Sequence, residues 1–354
     1  MNTQLLVHDK IARSYEILDT LKLENGLFLA APSNDYAYVW IRDNVYVSLA
    51  YQDKPCRNYE GIYHRWLDML KEYEWKLDIH CLIKPVHPYE FIHARYSKDV
   101  QEIHTPWGHA QNDAIGGLLF GIGEGIKKGK TTLRDDHDVR IVEKLVQYLH
   151  TLEYWKCGDS GAWEENVEVR SSSIAACVAG LRSVQGIVDV PQSMIDRGMT
   201  ALYELFPYET PTRKYDLAQL SLIYPYRVFG HEMSEVVLKQ VEDRLVRDKG
   251  VIRYECDSYY STYEKELGRY MPEECYRGTE AEWCFGFAFL ALAWMQLGDR
   301  AKAEYYLRKQ EEVMLEDGSI PELYYSRSNA WNGNTPLAWT QAMYIVAKQA
   351  FEEQ

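Results

Sequence analysis

Apolar residues recur at spacings of three and four along almost the whole chain, the signature of amphipathic helices. Twelve segments carry the pattern: residues 4–21, 42–52, 57–77, 111–126, 138–154, 170–187, 192–206, 214–225, 231–247, 280–296, 299–314 and 335–352. Their character alternates. In 138–154, Ile141, Leu145, Tyr148, Leu149 and Leu152 share one face, with Arg140, Glu143, Lys144 and Gln147 elsewhere. In 231–247, Met233, Val237, Val241 and Leu245 do the same among Glu235, Lys239, Glu242 and Arg244. The third, seventh and eleventh segments behave similarly. The even-numbered segments do not: 280–296 contains Phe285-Gly286-Phe287-Ala288-Phe289-Leu290-Ala291-Leu292-Ala293-Trp294, apolar on every side. A helix apolar all round is buried all round. Strand-like pieces near 78–96 and 250–261 are short and lie between helices.

Outer and inner helices in strict alternation describe six helical hairpins. Leu297-Gly298-Asp299 is a connection of the expected kind, with glycine closing one helix and aspartate capping the next. Twelve such helices close into two concentric rings, so the expected fold is all-α, an (α/α)6 barrel. No fixed sequence period supports an open solenoid of helical pairs. The length of 354 residues gives a loose prior of about two domains; the continuous alternation favours one domain spanning residues 1–354. The longest connections all run from an outer helix to the next inner one, which places them on a single rim, where a site is expected.

Charge narrows the partners. Formal net charge is −14, which repels phosphate backbones and anionic bilayers, so no nucleic acid and no membrane are expected as partners. No apolar run approaches the ~20 residues of a membrane span, and the N-terminal residues lack the basic-then-apolar layout of a signal peptide. The 7 cysteines include no Cys-x-x-Cys pair, so neither a disulfide framework nor a metal site is expected. A cytoplasmic location fits this pattern, and no cofactor is implied. The aromatic balance is unusual, with 28 Tyr and 10 Trp against 9 Phe. Flat rings with polar edges suit sugar faces.

Five of the long connections carry dense Trp, Arg, Asp and Glu clusters. They are Tyr36-Ala37-Tyr38-Val39-Trp40-Ile41-Arg42-Asp43-Asn44; Trp107-Gly108-His109-Ala110-Gln111-Asn112-Asp113; Trp163-Glu164-Glu165-Asn166; Gly268-Arg269-Tyr270-Met271-Pro272-Glu273-Glu274, running on to Trp283; and Pro321-Glu322-Leu323-Tyr324-Tyr325, followed by Trp339. This set suits glycoside hydrolysis, in which one protonated carboxyl donates to the leaving oxygen and a second carboxylate activates water or attacks directly. Glu164 follows a tryptophan and adjoins another acid; an apolar wall and a like charge both favour the protonated form that a general acid needs. Glu322, between a proline and two tyrosines, is the second carboxylate. Arg42 and Asp43 form a clamp for sugar hydroxyls, and Trp40, Trp107 and Trp339 are candidates to stack on sugar faces. His93, Arg95 and Tyr96 are expected in the cleft wall.

Together these five segments resemble glycoside hydrolase family 15, which includes the glucoamylases and related α-glucosidases. The resemblance runs through nearly the whole chain in the same order. It implies the (α/α)6 barrel and an inverting exo-acting hydrolysis of short soluble α-linked glucose oligosaccharides, isomaltose-type or malto-oligosaccharides. By the same resemblance, Glu164 corresponds to the general acid, Glu322 to the general base and Glu165 to an assisting carboxylate. Arg42, Asp43 and Arg269 correspond to the groups that grip the non-reducing glucose. Trp40, Trp107 and Trp163 correspond to its aromatic walls, and Tyr36 to a partner of the attacking water. A starch-binding module has no room in the chain, so raw starch is not the expected substrate.

Two other readings remain at this level. Trp40-Ile41-Arg42-Asp43-Asn44-Val45-Tyr46 and Pro321-Glu322-Leu323-Tyr324-Tyr325 resemble the glucoamylase-like domain of phosphorylase kinase α and β subunits still more closely, which implies a glycan-sensing regulatory module. A sugar epimerase on the same barrel would use paired histidines; the rim offers His104 and His109, without an evident catalytic pairing.

Overall fold

The computed structural model describes residues 3–262 and 272–353. Among them are twelve α-helices: α1 (Thr3–Leu21), α2 (Ile41–Tyr51), α3 (Asn58–Glu72), α4 (Glu74–His80), α5 (Asn112–Lys127), α6 (Asp136–Leu152), α7 (Ser171–Val184), α8 (Gln192–Leu205), α9 (His231–Leu245), α10 (Phe285–Gln296), α11 (Arg300–Glu312) and α12 (Ala338–Glu352). The inner ring is closed. Helix α2 packs on α5, α5 on α7, α7 on the 3-10 segment Leu217–Leu222, that segment on α10, α10 on α12, and α12 back on α2. The outer helices α1, α3, α6, α8, α9 and α11 each lie against one or two inner elements. This is the (α/α)6 barrel, with all-round apolar helices inside and amphipathic ones outside, for the reason the hydropathy pattern gives.

Small residues set the ring's tightness. A Cβ on Gly116 of α5 would lie 2.4 Å from the Ala176 backbone, and one on Gly180 of α7 would lie 2.3 Å from the Gly116 carbonyl oxygen. Only glycine lets these two backbones approach so closely. At the turn 297–299, Gly298 takes a φ of +83° and the Asp299 side chain accepts from the Lys302 N–H, so the expected stop and start signals operate as read.

Three expectations change. The segment 57–77 is not one helix: the chain breaks at Tyr73 and restarts as α4. Residues 214–225 form only the short 3-10 segment, opened by Asp216 as cap and ended by Pro225, which has no N–H to continue the ladder and biases Tyr224 away from helix. The strand-like pieces shrink to two-residue strands and bridges. β1 (Val39–Trp40) pairs antiparallel with β2 (Arg95–Tyr96), Trp40 opposite Arg95. β3 (Glu282–Trp283) pairs antiparallel with β4 (Leu323–Tyr324). In 250–261 only Val251 makes bridges, to Val246 and Trp283. These short pairings tie the rim loops together and fix the backbone on either side of Trp40 and Glu322.

Candidate active site

The connections from outer to inner helices meet over one mouth of the barrel and line a cavity of about 230 Å³. Drug-sized ligands occupy pockets of roughly 300–1,000 Å³, so this space is on the small side for a ligand pocket. Tyr36, Trp40, Arg42, Asp43, Trp107, Trp163, Glu164, Glu165, Glu322 and Trp339 all border it. Ten positions named from the sequence thus converge, from segments as far apart as residues 36 and 339. The eleventh, Arg269, lies outside the described residues.

Glu322 follows Pro321 at the start of β4, and its carbonyl accepts from the Cys284 N–H at 3.0 Å, anchoring it beside β3. Its carboxylate is 2% exposed. Oε1 accepts from the Tyr36 hydroxyl at 2.7 Å; Oε2 accepts from the side-chain amides of Asn332 and Asn334, the latter at 2.7 Å. Burial lifts this carboxyl above its ordinary range, and the three hydrogen bonds pull it back toward the ionised form.

Glu164 sits in a different environment from the one expected. All its close protein contacts fall on Oε1: the Trp40 indole N–H at 2.7 Å, the Gln111 amide at 3.2 Å and the Arg42 guanidinium at 3.5 Å. No hydrogen bond to Oε2 occurs among the described residues. The apolar wall and like-charged neighbour inferred from Trp163-Glu164-Glu165 are replaced by these donors. Glu165 turns the other way, into a cage of Arg213 at 2.9 Å, Arg253 at 2.8 Å and the Tyr254 hydroxyl at 2.8 Å. Burial works against its charge, but Arg253 and Arg213 more than offset this and hold it below the ordinary carboxyl range. The turn that separates the two acids places Glu164 at φ +61°, a left-handed conformation that costs a side-chain-bearing residue roughly 1–3 kcal/mol and persists where the surroundings impose it.

Arg42 and Asp43 enter the site from the first turn of α2. Arg42 donates to Gln111 at 2.8 Å and Asp113 at 3.2 Å. Asp43 is 7% exposed. Burial pushes it up to about 7; Arg42 pulls down, and Glu164 and Glu322 push up. It borders the cavity as a buried acid, with no hydrogen bond to another side chain among the described residues.

The aromatic residues divide. Trp40, Trp107 and Trp163 border the cavity, Trp107 with the Arg95 guanidinium 3.6 Å from its ring centre and Trp163 with its N–H bonded to Asp216 at 2.8 Å. Trp339 does not offer a face: it is stacked between Tyr46 at 4.5 Å and Phe285 at 4.6 Å, nearly parallel to both. It supports the floor. His93, Arg95 and Tyr96 are buried and absent from the cavity lining; Arg95 reaches Trp107 without entering the cavity wall. His109 is buried and stacked on His93, ring centres 3.6 Å apart, so the histidines do not form an acid–base pair in the cleft.

Several site residues escape sequence reading. Arg253 lines the cavity, bonds Asp257 and Glu165, and lies among the rings of Trp163, Tyr259 and Trp283. Its one signal is a charge inside the apolar stretch Val251-Ile252-Arg253. Tyr259 also lines the cavity. Asn332 and Asn334 lie in Asn332-Gly333-Asn334-Thr335-Pro336, which reads as an ordinary turn.

Carboxyl groups, an arginine and aromatic side chains from distant segments thus line one cavity at the mouth of an (α/α)6 barrel. The model of glycosyl hydrolases family 15 matches residues 15–197, just over half of the chain; the chain belongs to that family. It is 23% identical over 394 residues to the probable phosphorylase b kinase regulatory subunit alpha of Caenorhabditis elegans, covering 92% of this chain and 31% of that protein. The chain thus spans about a third of the length of the curated relatives it matches. Among solved structures, a wild-type glycosidase superposes with a TM-score of 0.83 at 18% identity over 99% of both chains. A glucoamylase from Hormoconis resinae superposes with a TM-score of 0.69 at 13% identity, over 99% of this chain and 74% of that one. These likenesses establish the fold.

Proposed function

We propose that the chain is an inverting, exo-acting α-glucosidase that removes glucose from the non-reducing end of short soluble α-glucosides of the isomaltose or malto-oligosaccharide type. The observation that carries this reading is the placement of Glu164 and Glu322 on one cavity, each hydrogen-bonded differently. Glu164, with Oε2 uncommitted, gives a proton to the glycosidic oxygen as the C1–O bond breaks. Glu322, held by three donors, takes a proton from a water that attacks C1 from the opposite side. Arg42 and Asp43 fix the sugar hydroxyls, and the small cavity at the barrel mouth accepts a chain end. Proton NMR of the first product tests this: β-glucose is expected, and α-glucose first would exclude inversion. Glu164→Gln and Glu322→Gln should each lose about 10²–10⁴-fold in rate; near-normal turnover in either rejects the assignment.

A second reading is a glycan-sensing regulatory module, supported by the names of the curated relatives, which are regulatory subunits. It expects saturable oligosaccharide binding by calorimetry with no glucose released from any linkage in a disaccharide panel.

A further inference from the structure

Trp163 and Arg213 share an anchor that lies outside the cavity. Asp216 is 0% exposed, stands at the head of the 3-10 segment Leu217–Leu222 in the inner ring and is absent from the cavity lining. Its Oδ1 accepts from the Trp163 indole N–H and the Ala218 N–H, both at 2.8 Å. Its Oδ2 accepts from the Arg213 guanidinium at 3.1 Å. The backbone beneath is fixed in turn: the Gln219 side chain accepts from the Asp216 N–H at 3.1 Å and donates to the Pro207 carbonyl at 3.0 Å. Burial pushes Asp216 up, as it does the neighbouring Glu209, which reaches about 8; Arg213 and the N–H groups of Ala218 and Trp163 draw Asp216 back toward its charged form.

Through these bonds one carboxylate controls two residues that border the cavity. Trp163 is reached directly. It precedes Glu164, whose φ of +61° turns the two acids apart, so a fixed indole also fixes the start of that turn. Glu165 is reached through Arg213, which spans two carboxylates: one terminal nitrogen is on Asp216 and the other on Glu165 at 2.9 Å, with the guanidinium carbon 3.5 Å from the centre of the Tyr254 ring. A planar guanidinium held at both ends and stacked on a ring has a single placement. Without a charge at position 216, Arg213 loses one of the two ion pairs it makes among the described residues, and Glu165 loses a partner held in place. We infer that Asp216 is a positioning residue of the site: it sets the Trp163 wall and, through Arg213, the Glu165 carboxylate, for a sugar that it does not touch. This rests on the carbohydrate reading of the cavity. A plain cap of the 3-10 segment is the lesser role, and chemistry separates the two. Asn and Ser cap about as well as Asp. In Asp216→Asn the amide oxygen keeps Trp163 and Ala218, while an NH₂ group replaces the acceptor that faces Arg213. In Asp216→Ser the hydroxyl is one bond shorter; it still caps and falls short of both Trp163 and Arg213.

Calorimetric titration of the full chain with glucose tests it, since hydrolase and sensor alike must bind this sugar. Affinity should fall about tenfold in Asp216→Asn, the scale of one hydrogen bond to a charged group, and further in Asp216→Ser, with the number of sites per chain unchanged in both. Arg213→Met should weaken binding as Asp216→Asn does, and the double variant Arg213→Met/Asp216→Asn should bind no more weakly than Arg213→Met alone, because the two act on Glu165 in series. Unchanged affinity in the Asn and Ser variants reduces Asp216 to a cap and overturns the inference. So does a fall in the number of sites at constant affinity, which is the mark of a misfolded fraction, and so do additive losses in the double variant. A wild type that takes up no glucose overturns the carbohydrate reading and this inference with it; a wild type that binds beside variants that bind equally well overturns the inference alone.

Discussion

The Tyr36 hydroxyl donates to Glu322 Oε1 at 2.7 Å across 286 positions of sequence. The bond joins the first rim loop to the last, and it aims one lone pair of the carboxylate. In Tyr36→Phe that donor is gone while the ring still packs on Trp40. Glu322 then loses one of the three hydrogen bonds that favour its ionised form, so its pKa rises further. The expected result is a fall in kcat of about 10–100-fold with KM changed far less, and an acid limb of the pH–rate profile displaced to higher pH. An unmoved limb would show that the hydroxyl does not tune Glu322.

Much of this architecture was readable before any coordinates, because helix burial follows directly from which faces are apolar. The alternation of all-round and one-sided helices determines which ring each belongs to, and ring membership places the outer-to-inner loops on one mouth. Side-chain direction inside those loops was not readable. Trp163-Glu164-Glu165 suggests two acids side by side, yet a single left-handed residue turns them into separate environments. Trp339 follows the Glu322 loop and was expected at the sugar, but the faces of its ring are taken by Tyr46 and Phe285. Arg253 was missed because its partners, Glu165 and Asp257, are brought to it partly by a contact 88 residues away in sequence.

That sandwich gives Trp339 a structural load. Trp339→Ala removes a buried ring from between two others, a change that costs about 3–5 kcal/mol. A urea titration should show the midpoint lowered accordingly. A variant with wild-type stability but weakened sugar binding would return Trp339 to the role of a stacking wall.

Asp43 couples function to stability. Its carboxyl is near 3.8 when unfolded and about 7 in the folded chain. Between those values the folded state holds a proton that the unfolded state has released, so stability falls as pH rises through that window, and the loss is complete above about 7. Asp43→Asn cannot ionise. It should be more stable than wild type at pH 8 by a few kcal/mol and no more stable at pH 4, while losing sugar affinity. Thermal melts at the two pH values check the sign; equal differences at both would show that Asp43 is not held protonated by its burial.

The stacked pair His93 and His109 sets the opposite slope. Burial is the first cause in both, pushing His93 down to about 2 and His109 to about 4, with Lys76, Arg95 and His104 adding positive charge around them. Glu102, 3.9 Å from His93 Nε2, is the facing carboxylate. Both rings therefore stay neutral when folded at pH values where an unfolded histidine, near 6.5, takes up a proton. The unfolded state binds more protons below 6.5, so stability drops as pH falls, by about 1.4 kcal/mol per pH unit for each histidine. His93→Phe keeps a flat ring against His109 and removes one titrating group. Urea midpoints measured at pH 7.5, 6 and 5 should converge toward those of the variant at high pH and separate at low pH, the wild type declining more steeply. Parallel curves would mean that His93 is protonated in the folded chain, with Glu102 sheltering its charge.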